Sequence, residues 1–279
     1  MNVSTPTFIF IDGSYFCFYR YHSLLTWWKN AFPEDLDVLQ NPYQNDKFVD
    51  KFKKTFIDNI QKIPKNLKLD KTITPIIIVG KDCKREHIWR NQLFPNYKAN
   101  RLQNDGFMGG PFFKMVYEDN LFIQGGAQTI LQHPKLEADD CIAISVKYLL
   151  NTYSTSNIYI ITSDKDYLQL AEERVQIYNL AFKKLTDQKS STGDHRCDLF
   201  CKILTGDPSD NISSVFPKCG PKTAMKYYQN KELFKQKLQE SIIYQTAYEL
   251  NTKIIDFNNI PEELVNEFLH EFLQKLIQL

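Results

Sequence analysis

The chain has 279 residues, 43% of them hydrophobic, and a formal net charge of +1. That length can bury a sizeable core without staples, and near-neutrality excludes a global field for a polyanion, so any such partner must meet local patches. No stretch approaches the ~18 consecutive apolar residues of a membrane helix, and six scattered cysteines (Cys17, Cys83, Cys141, Cys197, Cys201, Cys219) do not form a secreted disulfide framework.

The first residues carry no basic region ahead of the apolar run "TFIFI" (7–11), so no secretory signal is read and an intracellular, soluble chain is expected. That run predicts a strand, followed by a helix over 14–31 and an aromatic, Pro-containing insertion at about 27–47 to which no role is assigned. A helix at 47–62 precedes a second strand, "TPIIIVG" (74–80). Helices are expected at 111–131 and 138–150, and strands at "NIYIIT" (157–162) and "RVQIYNL" (174–180). Short β-branched runs alternating with helices predict an α/β fold, with a central, mostly parallel sheet flanked by helices over residues 1–193. From 194 to 279 every segment reads as helix, so a helical module is expected there. His195, Cys197 and Cys201 could suggest a metal clip, but Cys197 and Cys201 at i, i+4 read more simply as small apolar residues on one helix face.

The acids mark the strand ends. Asp12 closes the first strand, Asp82 follows the second, and Asp164 and Asp166 follow the third. In an open parallel sheet, ligands bind outside the carboxyl ends of the strands, so these four should converge. "EADD" adds Glu137, Asp139 and Asp140 at a helix mouth. A helix advances 100° per residue, so these three cannot share one face, and Glu137 is expected before the first turn. A helix N-terminus offsets only about 0.3–1 kcal/mol per anion, too little to hold such a cluster. Divalent cations can hold it: an oxygen-rich pocket without converging His or Cys suits Mg²⁺ or Mn²⁺. Two such ions about 3.5–4 Å apart activate water and stabilise the leaving oxygen of a phosphodiester.

Further along, "GDPSDN" supplies Asp207 and Asp210, and "PKCGPKTA" reads as a Pro/Gly hairpin into a helix, the pair forming a helix–hairpin–helix at about 196–228. Gly220 in that turn would expose backbone amides to a phosphate, with Lys218, Lys222 and Lys226 around it. Between Lys81 and Arg101 lies a local basic stripe with interleaved aromatics, suited to a phosphate backbone and stacked bases.

Together "IDGSYFCFYRYHSL", "WRNQLFPNYKANR", "EADD", "SDKD" and "GDPSDN…GPKTA" resemble the 5′-nuclease superfamily: flap endonucleases, phage 5′-exonucleases and the 5′-nuclease domain of bacterial DNA polymerase I. The resemblance implies a helical arch at about 84–130 and a helix–hairpin–helix that grips duplex DNA. It implies that Asp12, Asp82, Glu137 and Asp139 or Asp140 hold one Mg²⁺, while Asp164, Asp166, Asp207 and Asp210 shape a second position. Arg90, Lys98 and Arg101 would act on the scissile phosphate, and Arg20 would contact a nearby phosphate. K⁺ at the hairpin is a further expectation, although Lys218 stands where the family has its first hairpin glycine. No sliding-clamp motif is read in "FLHEFLQKLIQL", and a monomer is expected. The implied activity is a structure-specific 5′-nuclease on flaps, nicks, gaps and ends of DNA, in a viral setting or otherwise. A metal-dependent ribonuclease on the related PIN-type fold is the alternative.

Overall fold

The computed structural model describes residues 6–103 and 106–277. Five strands, β1 (Thr7–Asp12), β2 (Ile76–Gly80), β3 (Thr129–Leu131), β4 (Asn157–Ile161) and β5 (Val175–Tyr178), form one parallel sheet in the order β3-β2-β1-β4-β5. The central strand β1 pairs with both neighbours, Ile9 facing Ile77 on one side and Tyr159 on the other. Its residues alternate between two cores: Phe8 and Phe10 enter one, Ile9 and Ile11 the other. Both faces are therefore dry, which is why the strand reads as an unbroken apolar run.

One face carries α1 (Gly13–Ala31), α2 (Asp46–Gln61) and the single turn α3 (Ile63–Asn66). Phe48, Phe52, Phe56 and Ile60 recur every fourth residue of α2 and are fully buried against the sheet. The segment joining β2 to β3 holds the single turn α4 (Arg90–Leu93), then α5 (Gly110–Glu118) and α6 (Leu121–Gln124). Phe112, Val116 and Phe122 from α5 and α6 belong to the same core as α1 and α2. The part before about residue 109 is built from short turns rather than long helices and packs elsewhere, Trp89 in the opposite core and Ile88 and Tyr97 against residues of the C-terminal helices; residues 104–105 of the expected arch lie outside the described residues. The single helix expected over 111–131 is two helices and β3, an edge strand of three residues.

The other face carries α7 (Ala138–Thr152), whose Cys141, Ile142, Val146 and Leu149 pack on β1, β2 and β4. The helices after residue 194 divide between two places. Those from α8 (His195–Thr205) through α9 (Pro221–Gln229), α10 (Lys231–Gln239) and α11 (Ile242–Ile255) build two smaller clusters, one of them shared with Ile88 and Tyr97 from the segment after β2. The last, α12 (Glu262–Ile277), returns to α7 and inserts Leu264, Phe268 and Phe272 into the core beneath the sheet. Among the described residues no helix is long and apolar enough to cross a membrane.

Candidate active site

A cavity of about 1300 Å³ opens at the carboxyl edge of the sheet, lined by acids from β1, β2, β4, α7 and the loop after α8. Glycine brings the first two together. A Cβ on Gly13 would lie 2.6 Å from the Gly80 carbonyl oxygen, so only glycine lets α1 start hard against the end of β2. Asp12 caps α1, accepting from the Tyr15 amide at 3.0 Å and from Thr162 Oγ1 at 3.1 Å. Asp82 accepts from Ser14 Oγ at 2.5 Å and from the Ala138 amide of α7 at 2.8 Å. Asp139 faces the same space from the first turn of α7, and Asp164 joins through Thr162, whose Oγ1 accepts its amide at 3.1 Å.

Asp12, Asp82, Asp139 and Asp164 have no Lys or Arg ion pair among the described residues. The consequence is electrostatic. Withdrawal from water, then Asp82, pushes Asp12 up to about 7; withdrawal, then Asp166, pushes Asp164 to about 6. Asp139 is raised well above the carboxylate range by burial, then by Asp140 and Glu137. Such a group of acids lacks positive charge, which is the condition a divalent cation satisfies.

The remaining acids are already paired. Asp140, expected as a ligand, is fully buried and points away from the cavity. Arg90 grips it bidentately, Nη1 to Oδ2 at 2.8 Å and Nη2 to Oδ1 at 2.7 Å, while Trp89 Nε1 and the Glu137 amide donate to Oδ2. Arg90 also donates from Nε to the Ile254 carbonyl of α11, and at 2% exposure it cannot reach a substrate phosphate. Arg90 and Asp140 thus form a buried pair, while oxygens of Glu137, Asp139 and Asp140 lie close enough together to share an ion. Repulsion within "EADD" is therefore relieved in part by the protein itself. Glu137 is the extended N-cap of α7 and receives Arg90 Nη1 at 2.9 Å, the Tyr97 hydroxyl at 3.1 Å and Lys98 Nζ. Lys98 and Arg90 hold its carboxyl below the usual range despite burial.

Lys98 and Arg101 do line the cavity, and Arg101 pairs with Asp210. Lys98 holds a left-handed backbone (φ 55°) and its amide donates to the Asp210 carbonyl at 2.9 Å, fastening this segment to the loop after α8. Lys202, which sequence reasoning passed over, donates to Asp207 and lies 2.7 Å from Asp166 Oδ1. Arg20 is half-buried on α1 and does not line the cavity.

Residues 7–196 match the family described as 5′-3′ exonuclease, N-terminal resolvase-like domain. The chain belongs to that family. It is similar to a 5′-3′ exonuclease of Buchnera aphidicola, 33% identical over 177 residues that cover 61% of this chain and 55% of that one. The match thus spans about half the length of that exonuclease relative. A protein of Enterobacteria phage T4 named ribonuclease H is 26% identical over 231 residues, 74% of this chain and 73% of the other. Among solved structures, T5 5′-exonuclease with bound divalent ions (zinc) shares the fold with a TM-score of 0.67 at 16% identity, covering 96% of this chain and 98% of that one.

In this family member the hairpin before α9 carries Lys218 at φ 58°, a left-handed conformation that disfavours any side chain. Lys218→Gly is therefore expected to stabilise the protein by about 1 kcal/mol, read from urea unfolding. Unchanged or reduced stability would show that Lys218 makes compensating contacts. Gly220 caps α9, and Lys222 at its first turn lines the same cavity as the acids. Cys197 is buried with Sγ 3.5 Å from Met225 Sδ, as a small apolar residue would be.

Proposed function

We propose that the chain is a metal-dependent, structure-specific 5′-nuclease that cuts DNA near 5′ flap junctions and removes nucleotides 5′ to 3′ from ends, nicks and gaps. The observation that carries this reading is the set Asp12, Asp82, Asp139 and Asp164, four acids in one cavity with no Lys or Arg ion pair among the described residues. An all-oxygen donor set lacking positive charge fits Mg²⁺, with Mn²⁺ as substitute. Asp12, Asp82 and Asp139 would hold one ion, with Glu137 behind them; Asp164, Asp166, Asp207 and Asp210 would shape the position of another. Bound there, such ions supply an activated water and charge stabilisation at the leaving oxygen.

The protein's own groups do the positioning. Lys98 and Arg101 stand on the segment after α4 at the cavity, placed to meet the scissile phosphate and the 5′ strand. Lys222, the amides after Gly220 and exposed Lys218 form the duplex-side contact of the helix–hairpin–helix, α8 to α9. A K⁺ ion at the hairpin is the less favoured part of the proposal, because Lys218 brings its own ammonium to that hollow. The chain is read as a monomer acting inside a cell.

The name of the phage T4 relative favours a second reading, in which the 5′ strand removed is RNA paired to DNA. One panel tests both: a 5′-flap DNA, the same junction with an RNA flap strand, an RNA·DNA hybrid and free single-stranded RNA, each with Mg²⁺ and with EDTA. Mg²⁺-dependent cutting at the DNA junction, leaving 5′-phosphate and 3′-hydroxyl ends, is expected. Preference for free RNA would overturn the proposal; preference for the hybrid would favour the second reading.

A further inference from the structure

The carboxylates fall into two electrically different groups. Asp12, Asp82, Asp139 and Asp164 are open, whereas Asp166, Asp207 and Asp210 lie close enough together to share an ion and already have positive partners. The central partner is Lys202 on α8. Its ammonium lies between two carboxylates from different parts of the chain: Asp166 Oδ1 at 2.7 Å, on the turn after β4, and Asp207 Oδ2, just after α8. The other oxygen of Asp207 is occupied as well, accepting from the Ser209 amide at 2.8 Å and Ser209 Oγ at 2.7 Å. Asp210 is held by Arg101, with Lys98 Nζ 3.7 Å away.

These cations differ in how firmly they are placed. Arg101 reaches in from the segment after α4 with its side chain half exposed, and Lys98 is shared with Glu137. Lys202 stands on a packed helix beside fully buried Leu204, with a largely buried side chain. It occupies the space between the two acids that a second divalent ion would need.

Resting on the nuclease reading above, we propose that Lys202 is the resident cation of the second carboxylate cluster and keeps divalent affinity there low. The chain then takes one divalent ion readily and a second only at higher concentration, because that ion must displace an ammonium from both Asp166 and Asp207. Metal dependence of cleavage should accordingly show two phases rather than one.

The test is Mn²⁺ titration by calorimetry on the whole chain without DNA, comparing wild type with Lys202→Met and Lys202→Arg. Wild type is expected to bind one ion tightly. Lys202→Met should bind two, with the second site tightened on the order of a hundredfold by removal of the neighbouring charge. Lys202→Arg keeps the charge and should bind one, as wild type does. A melting curve in EDTA checks that each variant is folded; if Lys202→Met is not, Lys202→Gln replaces it with the same expectation. Two tight sites in wild type, or one in both neutral variants, would overturn the role of Lys202 alone. No Mn²⁺ bound by wild type would instead overturn the nuclease reading.

Discussion

Asp139→Asn is expected to lower flap cleavage on the order of a thousandfold or more while leaving the fold intact, whereas Asp140→Asn is expected to damage the fold. The two residues are adjacent, yet α7 turns one carboxylate into the cavity and the other into the core. Asp139 meets no Lys or Arg ion pair among the described residues, and burial and then the neighbouring acids disfavour its charged form. A neutral amide removes a metal ligand together with the cost of keeping a carboxyl protonated there, so the metal-free melting temperature should rise by about 2–4 °C. Asp140 instead completes a bidentate pair with Arg90, both nearly inaccessible to water, and Arg90 in turn ties α7 to α11 through the Ile254 carbonyl. Breaking that pair leaves Arg90 with Glu137 as its one remaining anionic partner among the described residues, so the loss falls at the lower end of the range for buried pairs, about 3 kcal/mol. Thermal melts in EDTA and single-turnover cleavage of a flap separate the two effects. An Asp140→Asn variant that melts like wild type but no longer binds Mn²⁺ would reverse the assignment. So would full cleavage by Asp139→Asn.

Much of this was legible in sequence because strands buried on both faces advertise themselves. "TFIFI" and "NIYIIT" predict β1 and β4, and an acid directly after such a strand must lie at the ligand-binding edge. Asp12, Asp82, Asp164 and the first turn of α7 follow from that rule. What stayed hidden depends on tertiary neighbours. β3 has three residues with only Leu131 buried, too short a run to stand out from the helices around it. Nothing in "EADD" tells which aspartate faces Arg90, since the guanidinium arrives from a segment some fifty residues earlier. Lys202 inside "CKIL" reads as an ordinary solvated position on a helix. Only the closeness of the turn after β4 makes it the partner of Asp166. Asp207 lies past the end of α8, so its five-residue spacing from Lys202 does not by itself bring the two together in the cavity. Arg90 and Lys98 looked alike in a basic stripe; burial separates an anchor from a residue that meets the cavity.

The metal-free protein should lose stability as pH rises from about 4 to about 7, the reverse of what paired carboxylates produce. The sign follows from Asp12 and Asp164, raised to about 7 and about 6 in the folded chain from an ordinary value of 3.8. Between those limits the native state holds protons that the unfolded chain has released. Its advantage is complete below the unfolded value and disappears as pH passes the folded one. Asp139 acts in the same direction. Asp207 acts in the opposite direction, since Lys202 and Ser209 lower it despite burial, but its effect is over once pH is well above 4. Water reaches the open cavity and screens these charges, so the net loss is put at about 1–2 kcal/mol rather than the full shift. A divalent ion at Asp12, Asp82 and Asp139 competes with the same protons. Saturating Mn²⁺ should therefore raise the melting temperature more at about pH 8 than at about pH 6. Melting curves across this range, with Mn²⁺ and with EDTA, give both slopes at once. Metal-free stability that climbs through pH 5–7 would mean that these acids already have positive partners, and the cavity would no longer call for a cation.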